Sequence, residues 1–228
     1  MEITTLATGS TGNAYLLNID GKRCLLDAGL PFNKLNRLLN FNLPEVAFIT
    51  HEHKDHAYCI GQLMLYGVDI CMTYGTARAL RLDHQNHRLH KVSTNKHFKT
   101  HGIEFAAYEV THDAVEPCCF AFFDVNLLYL TDTGVIPELK TKFKRLMIEC
   151  NYDPVILEEC LLNGEISRRE YQRIKETHLS INQVKAYIEA NPQLEEVRLI
   201  HISKRHGDSE EFQRRVQDVT LAEVKAEE

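Results

Sequence analysis

What this 228-residue chain lacks removes several classes of protein at once. With only six prolines and eleven glycines it is not collagenous, low-complexity or largely disordered. No uninterrupted apolar run approaches the ~20 residues that a membrane helix needs. The opening MEITTLATGSTGNAYLL has no basic segment followed by a long apolar stretch, so the expectation is no signal peptide and a cytoplasmic protein. The seven cysteines form no C-x-x-C pair. Only Cys118 and Cys119 are close neighbours, and buried reduced thiols are expected. Basic residues are not in excess either. Lys and Arg number 26 against 32 Asp and Glu, a formal net charge of -6 that does not advertise a nucleic-acid binder. A metal centre with a local basic strip can still hold phosphates on an acidic protein.

Short apolar runs alternate with helical patterns, which implies an α/β architecture. EITTLAT, AYLLNI and RCLLDAG read as strands. PFNKLNRLLN reads as a helix with Phe32, Leu35, Leu38 and Leu39 on one face. EVAFIT is a buried strand that ends on a histidine cluster. Ile60, Leu63, Met64 and Gly67 then fall at helical spacing. VDICMT is the next strand and GTARALRL the next helix. HQNHRLHKVSTNKHFKTHG is polar and basic and goes to loops and short edges. IEFAAYEVTH, CCFAFFDV, NLLYLTD and RLMIECN follow as strands. The last third is mostly helical, with one strand in VRLIHIS. Ser180 with Gln183 and Asp208 with Glu211 match capping boxes. One domain is expected over residues 1–220, followed by a frayed acidic tail over 221–228. By periodicity alone, a four-layer sandwich and a doubly wound sheet fit equally well.

The histidines are unusual: twelve in all, several in tight clusters. His51, His53, Asp55 and His56 form an H-x-H-x-D-H run directly after an apolar strand. Three imidazoles and a carboxylate suit zinc or a similar divalent ion. One tetrahedral ion does not easily use all four from so short a loop. Dividing them, with His51 and His53 on one ion and Asp55 and His56 on another, relieves the geometry. Three further donors stand at strand ends: His112, Asp132 and His201. A carboxylate is the group best able to bridge two cations about 3.5–4 Å apart, so Asp132 is the natural bridge. His84, His87, His90, His97 and His101 lie in the polar stretch and are expected to be ordinary solvated histidines.

These pieces resemble a metallo-β-lactamase-fold hydrolase: LLDAG with Asp27, HEHKDH, the TH at His112, the TDTG at Asp132 and the late His201. Within that superfamily the sequence is similar to the YycJ/WalJ-like group of single-domain exonucleases. ATGSTGNAYLL, IECNYDP around Glu149 and ETHLSINQ around His178 carry that second resemblance. It implies an α/β fold of the αββα sandwich type with two divalent ions, zinc first and manganese or iron after it. It also implies that His51, His53 and His112 hold one ion, that Asp55, His56 and His201 hold the other, and that Asp132 is shared. Asp27 supports the ligand loop. One departure is HISKRHGD, which replaces the group's asparagine-rich ending and bears on substrate contacts at that edge.

The implied activity is a two-metal phosphodiesterase acting on nucleic acid, a DNA exonuclease with a metal-bridging hydroxide as nucleophile. His178 is the candidate general acid, since an imidazole has a suitable pKa and similar histidines in RNase Z-type relatives take that role. Glu149 corresponds to the residue that orients it, and Asp55 could assist as a proton acceptor. Ser10, Gly12 and Asn13 form a turn whose N–H groups could face a phosphate, with Ser10 and Asn13 the candidate substrate contacts. The basic segments 140–145 and 168–175 could track a nucleic-acid backbone or be solvated faces. Two other readings compete. One is a small-molecule hydrolase of the same fold, acting on a cyclic nucleotide or other phosphodiester, a thioester or a lactone. The other is a metal-bound structural module, which the seven-ligand set argues against.

Overall fold

The computed structural model describes residues 1–82 and 86–227. The chain forms two compact units, one of Met1–Glu109 with Ala114–Val125 and one of Val110–Asp113 with the residues from Asn126 onward.

The first unit opens as an antiparallel meander of β1 (Glu2–Ala7), β2 (Ala14–Ile19) and β3 (Lys22–Leu26). From β3 the pairing turns parallel through β4 (Val46–Phe48), β5 (Asp69–Thr73) and β6 (Leu89–Val92), giving one sheet in sequence order. Parallel neighbours need crossovers, which here are mostly helical. These are α1 (Phe32–Leu38), then α2 (Lys54–Ala57) with α3 (Ile60–Leu65), then α4 (Tyr74–Ala79). One sheet face buries Leu25, Ala47, Ile49, Ile70 and Met72 against Leu35, Leu63 and Ala77. On the other face Phe48 meets Phe105, Phe120 and Phe122 edge-on at 4.8, 5.4 and 5.0 Å between ring centres. Those three rings belong to an antiparallel group of β7 (Lys96–Thr100), β8 (Ile103–Glu109) and β9 (Cys118–Phe122). Each such ring contributes roughly 1.5–3 kcal/mol by burial alone, so this cluster fixes the packing beneath β4.

The second unit is a parallel sheet of β10 (Leu127–Leu130), β11 (Arg145–Glu149), β12 (Glu196–Ile200) and β13 (Glu223–Ala226). Its helices are α5 (Pro154–Leu162), α6 (Arg168–Thr177), α7 (Ile181–Glu189) and α8 (Ser209–Gln217). Side chains of Asp153, Ser167, Ser180 and Asp208 cap them, accepting from the backbone N–H of Val155, Glu170, Gln183 and Glu211.

Several sequence expectations change on this frame. The tail is not frayed: Val224 is buried and β13 pairs with β12, Val197 opposite Val224. The capping box at Ser180 and Gln183 is complete. At Asp208 only the cap forms, because Glu211 turns its carboxylate to Arg214 at 3.0 and 2.8 Å. In α1 Leu35 is buried, as is Leu39 just beyond it, but Leu38 is 41% exposed. The polar stretch supplies β6 and β7. Within it His90 and His101 both meet Asp69, and His97 stacks on Phe123 at 4.5 Å. His84 lies outside the described residues. Cations of the basic segments are engaged locally: Lys144 pairs with Glu195 at 2.7 Å, and Arg173 with Asp113 at 2.7 Å.

Candidate active site

In both units several of the chemistry-bearing residues sit just beyond the carboxyl ends of parallel strands, where α/β sheets collect their ligands. Asp27 follows β3 and His51 follows β4; Asp132 follows β10, Glu149 ends β11 and His201 follows β12. Three of these residues, Asp27, Asp132 and His201, adopt left-handed backbone with φ of 57, 45 and 53°. That conformation is uncommon outside glycine and clusters at functional sites.

The H-x-H-x-D-H loop of the first unit is braced from below. Asp27, fully buried, accepts from the Thr50 N–H at 2.9 Å and the Thr50 hydroxyl at 3.0 Å, and its other oxygen takes His56 Nδ1 at 2.8 Å. A carboxylate can only accept, so His56 carries its proton on Nδ1 and its lone pair on Nε2. That is the tautomer a cation needs, held by a carboxylate behind it. Asn13 stands against the same Nε2 at 3.1 Å and donates its own N–H to the Asp55 carbonyl at 2.7 Å. Its side chain also closes the Gly9–Asn13 turn on Gly9. Asn13 therefore braces the ligand loop. Its N–H is committed to Asp55, which corrects the expectation that it faces a phosphate; Ser10 in the same turn is exposed. Gly29 lies so close to this loop that a Cβ there would overlap the Asp55 carbonyl oxygen. The loop's rings are packed together, His51 at 4.7 Å from His53 and 4.3 Å from His56.

In the second unit His112 presents Nδ1 to the Thr177 carbonyl at 3.0 Å, so the proton again sits on Nδ1. Burial pulls its pKa down, only partly offset by Asp132. Its Nε2 lone pair then faces Asp113 at 3.2 Å and Asp132 at 3.7 Å. Lone pair against carboxylate is repulsive, and a divalent cation among them resolves it. Arg173 holds Asp113 from outside with two donors at 2.7 and 3.2 Å. Thr131 donates to Asp132 at 2.7 Å, and His201 Nδ1 stands 3.3 Å from the same oxygen.

Glu149 is wholly buried. It accepts from the Thr133 N–H at 2.7 Å, the Leu179 N–H at 3.2 Å and His178 Nδ1 at 2.9 Å. Burial works to raise its pKa, but His178 and His201 outweigh that and hold it below the usual carboxylate range. The His178 ring lies 5.4 Å from that of His112 and 5.5 Å from that of His201. Asp132, Glu149, His178 and His201 each place a donor atom within 4.8 Å of the others. Sequence reasoning missed Asn151, whose amide donates to the His201 carbonyl at 2.9 Å, and Thr50, the hydroxyl between Asp27 and His51. Neither has a motif signal. These donor sets fit divalent cations: neutral imidazoles with oriented tautomers and carboxylates at close range.

Residues 22–202 match the β-lactamase superfamily domain. The chain belongs to that superfamily, and is a metal-dependent hydrolase with the α/β metallo-β-lactamase fold expected of it. Its relatives narrow the family. It is 35% identical over 189 residues to exodeoxyribonuclease WalJ of Streptococcus pneumoniae, covering 74% of this chain and 68% of that one. It is 32% identical over 189 residues to exodeoxyribonuclease YycJ of Bacillus anthracis, covering 74% and 70%. The metallo-β-lactamase fold protein YhfI of Bacillus subtilis superposes with a TM-score of 0.75 at 16% identity, covering 99% of this chain and 95% of that one. Among the described residues no helix is long and apolar enough to cross a membrane.

Proposed function

We propose that this protein is a two-metal phosphodiesterase that degrades DNA from an end. The observation that carries the reading is the Glu149–His178 pair beside Asp132 and His201. Ligands alone suit any hydrolase of the fold, whereas a poised proton donor suits a leaving group as basic as a sugar alkoxide. The family's exodeoxyribonucleases support the substrate class.

In this reading His51, His53 and His112 would hold one ion and Asp55, His56 and His201 the other, with Asp132 as the carboxylate common to both. Zinc suits the imidazole-rich set, with manganese or iron as alternatives. Such a pair of cations supplies activated water at neutral pH and offsets charge on a phosphoryl oxygen. The chain's own groups do the rest. His178 keeps its Nδ1 proton on Glu149, so Nε2 is the nitrogen that protonates the departing oxygen. The buried carboxylate fixes the orientation of the ring. Ser10 contacts a phosphate from its exposed turn, and Asn13 and Asp27 hold the loop in place. Seven free, buried cysteines support a reducing, cytoplasmic setting.

End-labelled single- and double-stranded DNA, with zinc or manganese, tests the reading. The wild-type protein is expected to shorten DNA progressively, and His53→Ala and Asp132→Ala to reduce turnover to background. His178→Ala is expected to lower kcat on DNA by about 10²–10⁴-fold, with far less effect on bis-p-nitrophenyl phosphate, whose leaving group needs no proton. Full DNA turnover by Asp132→Ala, or thioester hydrolysis without any diesterase activity, would overturn the reading.

A further inference from the structure

β4 and β5 are parallel neighbours, so the residues that follow each emerge at one sheet edge. The His51–His53 loop follows β4, and Tyr74 follows β5. A cavity of about 390 Å³ lies there, lined by Tyr74, Gly75, Arg78, Val115 and Glu116. That volume is in the range of about 300–1,000 Å³ that accepts small organic ligands. Tyr74 is 53% exposed and Val115 52%, so the cavity has an aromatic and an aliphatic wall open to solvent.

The walls are rigidly built. The Thr73 and Thr76 hydroxyls donate to the Glu116 carbonyl at 2.7 and 3.3 Å. The Gly75 N–H donates to the Glu116 carboxylate, and a Cβ at Gly75 would overlap Glu116, so only glycine permits this approach. Val115 donates its N–H to Glu52 at 2.7 Å, which hangs the aliphatic wall from the metal-ligand loop itself. Two cations attend the ring: Arg78 is exposed beside it, and Lys91 Nζ lies 5.4 Å from its centre.

We infer that this cavity takes one unpaired base of the DNA strand, stacked on Tyr74 and donating an N–H to Glu116, with flanking phosphates drawn by Arg78 and Lys91. The inference rests on the nuclease reading for its ligand, and it supplies what the active-site residues lack, a grip on the base. Aromatic stacking tolerates any base because each has a π-face. The carboxylate adds a preference for an edge with an amino donor, as cytosine has.

Fluorescence anisotropy with labelled single-stranded and blunt duplex oligonucleotides, in chelator, tests the site without turnover. The expected result is tighter binding of the single strand, about tenfold weaker in Tyr74→Ala and retained in Tyr74→Phe. Arg78→Ala is expected to weaken binding and flatten its salt dependence. Equal affinity of wild type and Tyr74→Ala for the single strand would overturn the inference, as would preference for the blunt duplex. DNA cleavage by the metal-loaded wild type is measured separately. Binding through Tyr74 without any cleavage would sink the nuclease reading and leave the base site standing.

Discussion

Asp27 shows how much a single buried carboxylate can organise. It takes two donors from Thr50 and one from His56, and so fixes both the start of the ligand loop and the tautomer of its last histidine. Asp27→Asn keeps the size but loses an acceptor, and its amide group opposes a ring N–H. The expected outcome is a 10–100-fold loss of metal affinity with the fold retained, measured by competition with a chromophoric chelator. Unchanged affinity would show that the loop needs no support from below. At this scale the candidate donors were easy to pick out of the sequence. Candidate metal ligands announce themselves because their types are few and their runs are short, as in HEHKDH. Asn13 was misread because a turn that could face a phosphate looks the same as one whose N–H and amide face inward. Asn151 and Thr50 were invisible because their partners are backbone and tautomer, which leave no pattern.

Between elements, the least expected feature is Asp69 at the start of β5. Arg88 at 2.9 Å, His90 at 3.1 Å and His101 at 2.9 Å converge on it from β6, its preceding turn and the turn between β7 and β8. Partial burial works to raise its pKa, but hydrogen bonds from His101, His90 and Arg88 outweigh that and hold it below the usual carboxylate range. A depressed carboxylate stabilises the folded state above its unfolded pKa and loses that contribution as the pH falls through its folded value. Asp69→Asn is therefore expected to cost about 1 kcal/mol at pH 7, its partners being partly exposed, with the gap closing below about pH 4. Urea melts at both pH values check it; a constant gap would contradict it. Those histidines looked solvated in sequence because the parallel register that aligns β5 with β6 has no local signal. β13 was hidden for a related reason. EVKA buries only Val224, and its strand character comes from β12 beside it.

Across the whole molecule, one rule is used twice. Each unit has parallel strands whose carboxyl ends carry the donors, β3 and β4 in one, β10, β11 and β12 in the other. The alternation of apolar strands and helices foretold this class of fold, but it left a doubly wound sheet open, and only the metal motif chose between them. Each unit sets buried histidines beside oriented carboxylates, donor types that suit divalent cations. The most direct measurement is the metal content of the purified, metal-saturated protein by native mass spectrometry. Two divalent ions per chain, falling in Asp132→Ala together with DNA turnover, is the predicted result. A fully active protein that carries a single ion, or none, would contradict the account.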